Sequence, residues 1–170
     1  METFDFEDGN GPVPAHKHVY GGGWVANTAY VSETAYVGPN ARVFGNARVS
    51  VNARVFGNAL VSDNAHVSGN AQVFDDAWVF GDAWVSGNAQ VFNDARVSDN
   101  AQVFGYAQVL VNARVYGTSR VFGNARVFGN ARVFGNAQVS DDTWVSGDNQ
   151  VSNDACVSDD VEKYEVIENV

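Results

Sequence analysis

Residues 41–61 read ARVFGN-ARVSVN-ARVFGN-ALV, one six-residue unit written three times and begun a fourth. The unit is Gly/Asp-Asn/Asp-Ala-x-Val-Phe/Ser, and its valine recurs at every sixth position from Val25 to Val157, which makes 23 valines without a miss. The residue two places before each valine is almost always alanine, and the exceptions are Gly23, Ser119, Thr143 and Asn149. A fixed short period of this kind indicates a solenoid.

Each half of the unit has a physical meaning. The alternation Ala-x-Val predicts a short strand whose Ala and Val point inward and whose x residue points outward. The Gly-Asn, Asp-Asn or Gly-Asp pair predicts a turn, because these residues tolerate left-handed backbone. A strand that turns every six residues cannot form a hairpin sheet, so each strand is expected to pair with its equivalent one coil further on.

Over residues 24–160 the pattern resembles the hexapeptide-repeat family of left-handed β-helices, the bacterial transferase hexapeptide type. The resemblance implies an all-β, single-stranded, left-handed parallel β-helix: a triangular solenoid with 18 residues per coil and seven to eight coils. Residues 1–23 are expected to form an irregular N-terminal head, since Lys17 occupies a small-residue position. Residues 161–170 are expected to form a capping tail, because an open end would expose unpaired strand edges.

Charge and composition exclude several classes of function. The net charge is −10 and the pI about 4.5, which argues against direct binding of nucleic acid or of an anionic membrane. A single cysteine, Cys156, excludes an internal disulfide framework and a cysteine-based zinc site. The sequence has no apolar run of about 20 residues, and its N-terminus is acidic where a signal peptide would be basic. We therefore expect a cytoplasmic protein.

Positions 18 residues apart are expected to stack, which sorts the outward residues by face. One face carries an apolar column, which we expect to be the oligomer interface: Phe56, Phe74, Phe92, Leu110 and Phe128. An exposed stripe of this size exceeds the largest patch of a typical monomer. The resembling family commonly forms trimers with parallel prisms, so a homo-oligomer is expected and a trimer favoured. The alternative is that the rings lie flat and cover the sheet without a partner.

A second face carries the expected ligand-binding residues: Trp78, Arg96, Arg114, Tyr116 and Arg132. Aromatic rings beside arginines suit a nucleotide or another anionic small molecule. In the resembling enzymes the cofactor lies in the groove between subunits. Against this, all eight arginines of the chain occupy the position before valine, so they can simply be polar strand residues.

The sequence offers little for catalysis. Acyltransferases of the resembling family use a histidine as base, and His66 is the only histidine of the coil, in an outward position. His16 and His18 add two imidazoles in the head, which are too few for a metal site. No catalytic residue, metal or cofactor is therefore expected, and an acyltransferase is kept as a second alternative.

The leading hypothesis is a non-enzymatic structural or binding module that forms a homo-oligomeric scaffold and engages a protein partner. Loop-less, regular chains of this kind resemble proteins of bacteria and their prophages, which implies a role in host interaction or anti-defence. The first alternative is sequestration of a nucleotide-like or other anionic small molecule at clefts between subunits. The aspartates crowded at the corners could also imitate nucleic-acid phosphates, although aspartate is in any case a good corner residue.

Overall fold

The structure, a computed structural model, describes residues 2–158. This part of the chain contains 25 strands and no helix, and most strands are two residues long. Within the coil, each strand pairs in parallel with the strand 18 residues further on, as Trp78 does with Arg96 and Val79 with Val97. The result is a parallel β-solenoid of about seven turns, which confirms the 18-residue coil that the repeat predicts.

The strands form three sheets, which we call faces A, B and C. Face A contains β1 (Thr3–Phe4), β2 (Val13–Lys17), β3 (Trp24–Ala26), β6 (Arg42–Val43), β9 (Leu60–Val61), β12 (Trp78–Val79), β15 (Arg96–Val97), β18 (Arg114–Val115), β21 (Arg132–Val133) and β24 (Gln150–Val151). Face B contains β4 (Tyr30–Val31), β7 (Arg48–Val49), β10 (His66–Val67), β13 (Trp84–Val85), β16 (Gln102–Val103), β19 (Arg120–Val121), β22 (Gln138–Val139) and β25 (Cys156–Val157). Face C contains β5 (Tyr36–Val37), β8 (Arg54–Val55), β11 (Gln72–Val73), β14 (Gln90–Val91), β17 (Gln108–Val109), β20 (Arg126–Val127) and β23 (Trp144–Val145).

Columns of valine and alanine fill the interior of the coil. From Ala35 to Val139 every residue of the two columns is fully buried, as the alternation predicts. Ser119 replaces one of the alanines, and its hydroxyl donates to the carbonyls of Tyr116 (2.8 Å) and Val133 (3.2 Å). A buried polar group is tolerated here because it has hydrogen-bond partners.

The first residue of most corners adopts the left-handed backbone that the turn residues predict. Gly45, Asp63 and Asn93 have φ of 65°, 57° and 56°. Val51 and Val111 adopt the same conformation, with φ of 61° and 63°. A β-branched side chain is strained in this region, so these two corners carry a local cost that glycine would remove.

The second corner residues form hydrogen-bond ladders along the three edges of the prism. Asn46 donates its amide to Asn64 Oδ1 (3.3 Å), and Asn64 donates to Asp82 Oδ1 (3.0 Å). A carboxylate accepts but does not donate, so a ladder that runs in this direction ends on an aspartate. The aspartates that accept an asparagine amide in this way are Asp76, Asp82, Asp142, Asp148 and Asp154. This supports the simpler interpretation of the acidic corners as structural positions.

The N-terminal head folds back onto face A of its own chain. Strands β1 and β2 extend that sheet in antiparallel pairing with β3, which covers an otherwise open strand edge. Phe6 is buried and stacks on Phe44 with ring centroids 5.0 Å apart, and Phe4 stacks on Trp24 at 4.5 Å. The tail expected at residues 161–170 lies outside the described residues.

Candidate functional site

Three of the predicted ligand-binding residues, Arg96, Arg114 and Arg132, form a row along face A. They occupy the outward position of β15, β18 and β21, and these strands pair in register, so the three residues stand directly beside one another on neighbouring strands. Neighbouring strands lie about 4.8 Å apart, so the row spans two such spacings. All three residues are exposed.

Trp78 stands at the start of this row, on the strand beside Arg96, and is held from two sides. Its Nε1–H donates to Ser62 Oγ (3.1 Å), and its ring packs against Phe80 with centroids 4.5 Å apart. The guanidinium carbon of Arg96 lies 5.9 Å from the centre of the Trp78 ring, within cation–π range. The half-buried indole therefore offers a fixed aromatic surface at one end of the arginine row.

Tyr116 lies beside the row, two positions after Arg114. Its ring stacks face to face on Phe134, with centroids 5.0 Å apart and planes 2° from parallel. The structure therefore places all five predicted ligand-binding residues on one face, within four consecutive coils.

The row carries charge that the described residues do not neutralise. Among residues 2–158, Arg114 and Arg132 have no hydrogen bond, ion pair or aromatic contact through their side chains. The ion pair found in that part of the chain joins Arg42 to Glu7, at the other end of the face. Like charges on directly opposed strand positions destabilise a sheet, so an anion lying across the row would relieve this cost.

The predicted oligomer interface lies on face C as a continuous ridge, which we call the Phe ridge: Phe56, Phe74, Phe92, Leu110 and Phe128. Three of its rings stack on each other, with centroids 4.9 Å apart for Phe56 and Phe74 and 4.7 Å for Phe74 and Phe92. Leu110 interrupts the stack, and Phe128 instead meets Trp144 edge-on at 6.2 Å. All five side chains are half-buried, whereas the sequence predicted an exposed stripe.

His66 lies in a different part of the fold from His16 and His18. His66 lies half-buried on face B, with its ring centroid 5.6 Å from that of Trp84. In the head, His16 Nδ1 lies 2.9 Å from Asn27 Oδ1, and the buried His18 bonds to the backbone of Tyr20. Residues 2–158 contain no group of three or more His, Cys, Asp or Glu side chains placed to hold a metal ion.

The structure also shows a groove that the sequence analysis missed. It lies along the border between face C and the corner that joins faces B and C, and has a volume of about 500 Å³. Tyr106 stands on the corner and Trp144 on the face, and both are unusually exposed, at 65% and 63%. Gln90, Gln108 and Arg126 also line the groove, on three consecutive strands of face C. We call this the BC groove.

The sequence does contain a signal for Tyr106. It occupies the second corner position, where the coils before and after it carry Asn88 and Asn124. An aromatic residue there interrupts a ladder of asparagines, which a comparison of each coil with its neighbours would have detected. Trp144 carries no such signal, because the outward strand position also holds tryptophan at Trp78 and Trp84, in different surroundings.

Four stretches of the chain match the family model of the YdcK beta-solenoid repeat: residues 53–69, 89–105, 119–133 and 125–141. All four lie within the coil, so the chain is similar to this family over part of its repeat region. The match fits a β-solenoid repeat protein, in agreement with the fold. No curated protein matches the chain. Within residues 2–158 there is no helix of the length and apolarity needed to cross a membrane.

Proposed function

We propose that this chain is a non-enzymatic binding module: a homo-oligomeric scaffold, with the trimer favoured, that engages a protein partner in the cytoplasm. The finer assignment to the hexapeptide-repeat type, and the prophage-related role in host interaction or anti-defence that it implies, belong to this proposal. The observation that carries it is the Phe ridge, whose five side chains lie at equal spacing on one rigid face.

A second copy of the chain is the occupant that best fits the Phe ridge. The ridge is straight and repeats once per coil, so a partner that contacts every ring edge must have the same rise. A parallel copy has that rise by construction. Burial of the ring edges would remove a long apolar stripe from water, which favours association.

The test is native mass spectrometry of the purified protein, with two matched variants. Phe74→Lys places a charge in the middle of the Phe ridge and is expected to convert the trimer into a monomer. Phe122→Lys changes the same position of the repeat on face B, where the ring stacks on Phe104 at 5.1 Å, and is expected to leave the trimer intact. A monomeric wild-type protein, or equal effects of the two variants, would contradict the proposal.

The arginine row supports a second function, binding of an anionic small molecule. It rests on the unpaired charges of Arg114 and Arg132 beside the rings of Trp78 and Tyr116. A ring and a guanidinium on one rigid face match the base and the phosphate of a nucleotide. In a trimer this face could border a cleft between subunits.

Isothermal titration with AMP and with inorganic phosphate tests this second function. Arg114→Glu is expected to weaken binding at least tenfold. Arg48→Glu is the control, because Arg48 is exposed and likewise has no partner in the described part of the chain, but it lies on face B away from the row. Unchanged affinity in Arg114→Glu, or no binding of either probe by the wild-type protein, would rule this function out.

A further inference from the structure

We infer that the BC groove is a binding site for a neutral oligosaccharide. The first observation is that Tyr106 and Trp144 are exposed, although the packing of the coil does not require an exposed aromatic side chain at either position. On the same face, Phe56, Phe74 and Phe92 each stack on a ring of a neighbouring coil. Tyr106 has no aromatic neighbour among the described residues, and its position on the other coils is filled well by asparagine.

The two aromatic rings lie at different heights along the axis of the prism, and the groove extends one coil beyond Tyr106 to Asn88 and Gln90. Tyr106 and Trp144 lie two coils apart, which corresponds to about 10 Å at the usual spacing of strands. Arg126 contacts Trp144 through its guanidinium carbon, 5.6 Å from the ring centre, and Phe128 meets the same ring edge-on at 6.2 Å. These contacts orient the indole but leave it 63% exposed. A ligand that stacks on either ring would gain apolar contact at no cost in packing.

The floor of the groove is lined by amides. Gln108 Nε2 donates to Gln90 Oε1 at 3.2 Å, and this is the one side-chain hydrogen bond that either glutamine makes within residues 2–158. The amide nitrogen of Gln90 and the amide oxygen of Gln108 therefore remain to donate and to accept. Asn124 lines the same groove. A set of groups that both donate and accept matches hydroxyls, which do the same.

The charges that line the groove favour a neutral sugar over an anionic ligand of the kind considered for face A. Arg126 supplies a positive charge to the groove, and Asp142, also in its lining, supplies a negative one. A phosphate or a polyanion in the groove would meet the Asp142 carboxylate. A pyranose ring has an apolar face of C–H groups that can stack on an aromatic ring, and a rim of hydroxyls for the amides. The groove offers both kinds of contact.

The groove and the Phe ridge lie at opposite borders of face C. Residues such as Gln90 and Asn88 come before the buried valine of each coil, on the side of the BC corner. Phe92 comes after that valine, on the side of the corner between faces C and A. Trp144 of the groove nevertheless meets Phe128 of the ridge at 6.2 Å, so the sugar titration is repeated on the Phe74→Lys variant to distinguish failure of this inference from failure of the proposed assembly.

The experiment is calorimetric titration of the full chain with cellohexaose, maltohexaose, chitohexaose and mannohexaose, with tryptophan fluorescence recorded in parallel. The wild-type protein is expected to bind at least one of the four in the micromolar to low millimolar range. Tyr106→Asn is expected to weaken that binding at least tenfold while the fold is kept, because asparagine is the residue of the neighbouring coils and continues their ladder. Trp144→Ala is expected to have a similar effect.

Trp84→Ala is the control, since Trp84 is also exposed, at 51%, but lies on face B. It should bind the sugar as the wild-type protein does. Absence of heat and of a fluorescence change with all four sugars up to 10 mM would overturn the inference. So would equal weakening by Trp84→Ala and Trp144→Ala, or tighter binding of AMP than of any sugar at this groove. Binding of a sugar by the Phe74→Lys variant, whatever its oligomeric state, would support the inference independently of the proposed assembly.

Discussion

Arg42 and Arg114 occupy the same position of the same face, four coils apart, yet their surroundings differ. Arg42 donates from Nη1 to Glu7 Oε2 at 2.8 Å and to the carbonyl of Phe6 at 3.3 Å, and it lies over the ring of Phe4. Arg114 stands between two other arginines and has no side-chain partner among the described residues. The N-terminal end of face A is thus closed by the head, and the C-terminal half is open.

The difference shows what the repeat does and does not determine. The repeat places both guanidinium groups on the same straight line, because every coil has the same backbone. Whether the charge is paired depends on residues outside the repeat, here the head that folds back over the first coils. The open half of face A is for this reason the better candidate for a ligand.

The largest expected effect on the free energy of unfolding concerns the packing of the head against the N-terminal end of face A. Phe6→Ala should lower the free energy of unfolding of the head by about 3 kcal/mol, since Phe6 is buried against Phe44. Phe134→Ala removes a half-buried ring from the open half and should cost about 1 kcal/mol. Hydrogen exchange of residues 2–23 and thermal melting measure the two effects. If Phe6→Ala and Phe134→Ala lowered the free energy of unfolding equally, the head would not be a separately packed unit.

A smaller effect is expected at the strained corners, one in each half of the prism. Val51→Gly and Val111→Gly should each raise the free energy of unfolding by about 1 kcal/mol, because glycine removes the cost of left-handed backbone. Denaturant melts of the two variants measure this. Equal gains would show that the coil is uniform and that the two halves differ only in their side chains. A loss of stability at either site would contradict the strain assigned to it.

The smallest expected changes in the free energy of unfolding are those caused by replacing Arg42 or Arg114 with alanine. Arg42→Ala should lower the free energy of unfolding by about 0.5 kcal/mol, the size usual for a partly exposed ion pair with one further hydrogen bond. Arg114→Ala should leave it unchanged within about 0.5 kcal/mol or raise it slightly, since it removes a like charge from the row. Melts at low and at high salt measure both, and salt should reduce the Arg42 loss and any Arg114 gain, because it screens the attraction at Arg42 and the repulsion at Arg114.

Much of the fold could be predicted because the core is periodic. The valine and alanine columns, the 18-residue coil and the left-handed corners follow from which residues are apolar and which tolerate positive φ. The Phe ridge was located correctly along the chain but expected to be more exposed than it is. Its rings shield each other, and stacking between coils depends on side-chain orientation, which the pattern of residue types does not contain.

The candidate sites were predicted less completely. The five predicted ligand-binding residues share a face because four of them are multiples of 18 apart and Tyr116 lies two positions after Arg114, so arithmetic on the repeat was sufficient. The BC groove combines a corner residue with face residues from other coils, and its two rings stand out only through their exposure. Exposure depends on the neighbours on every side, and no single repeat unit contains that information.

The sequence by itself determined the period, the core and the line along which each outward side chain lies. The reason is that the Ala-x-Val alternation can bury its apolar residues in a narrow interior in only one register. The tertiary structure decided the rest. It showed that the head packs on face A of its own chain, that Arg42 is paired while Arg114 is not, and that Tyr106 and Trp144 border one groove. These features join residues that are distant in sequence, so they exist only once the coils are stacked.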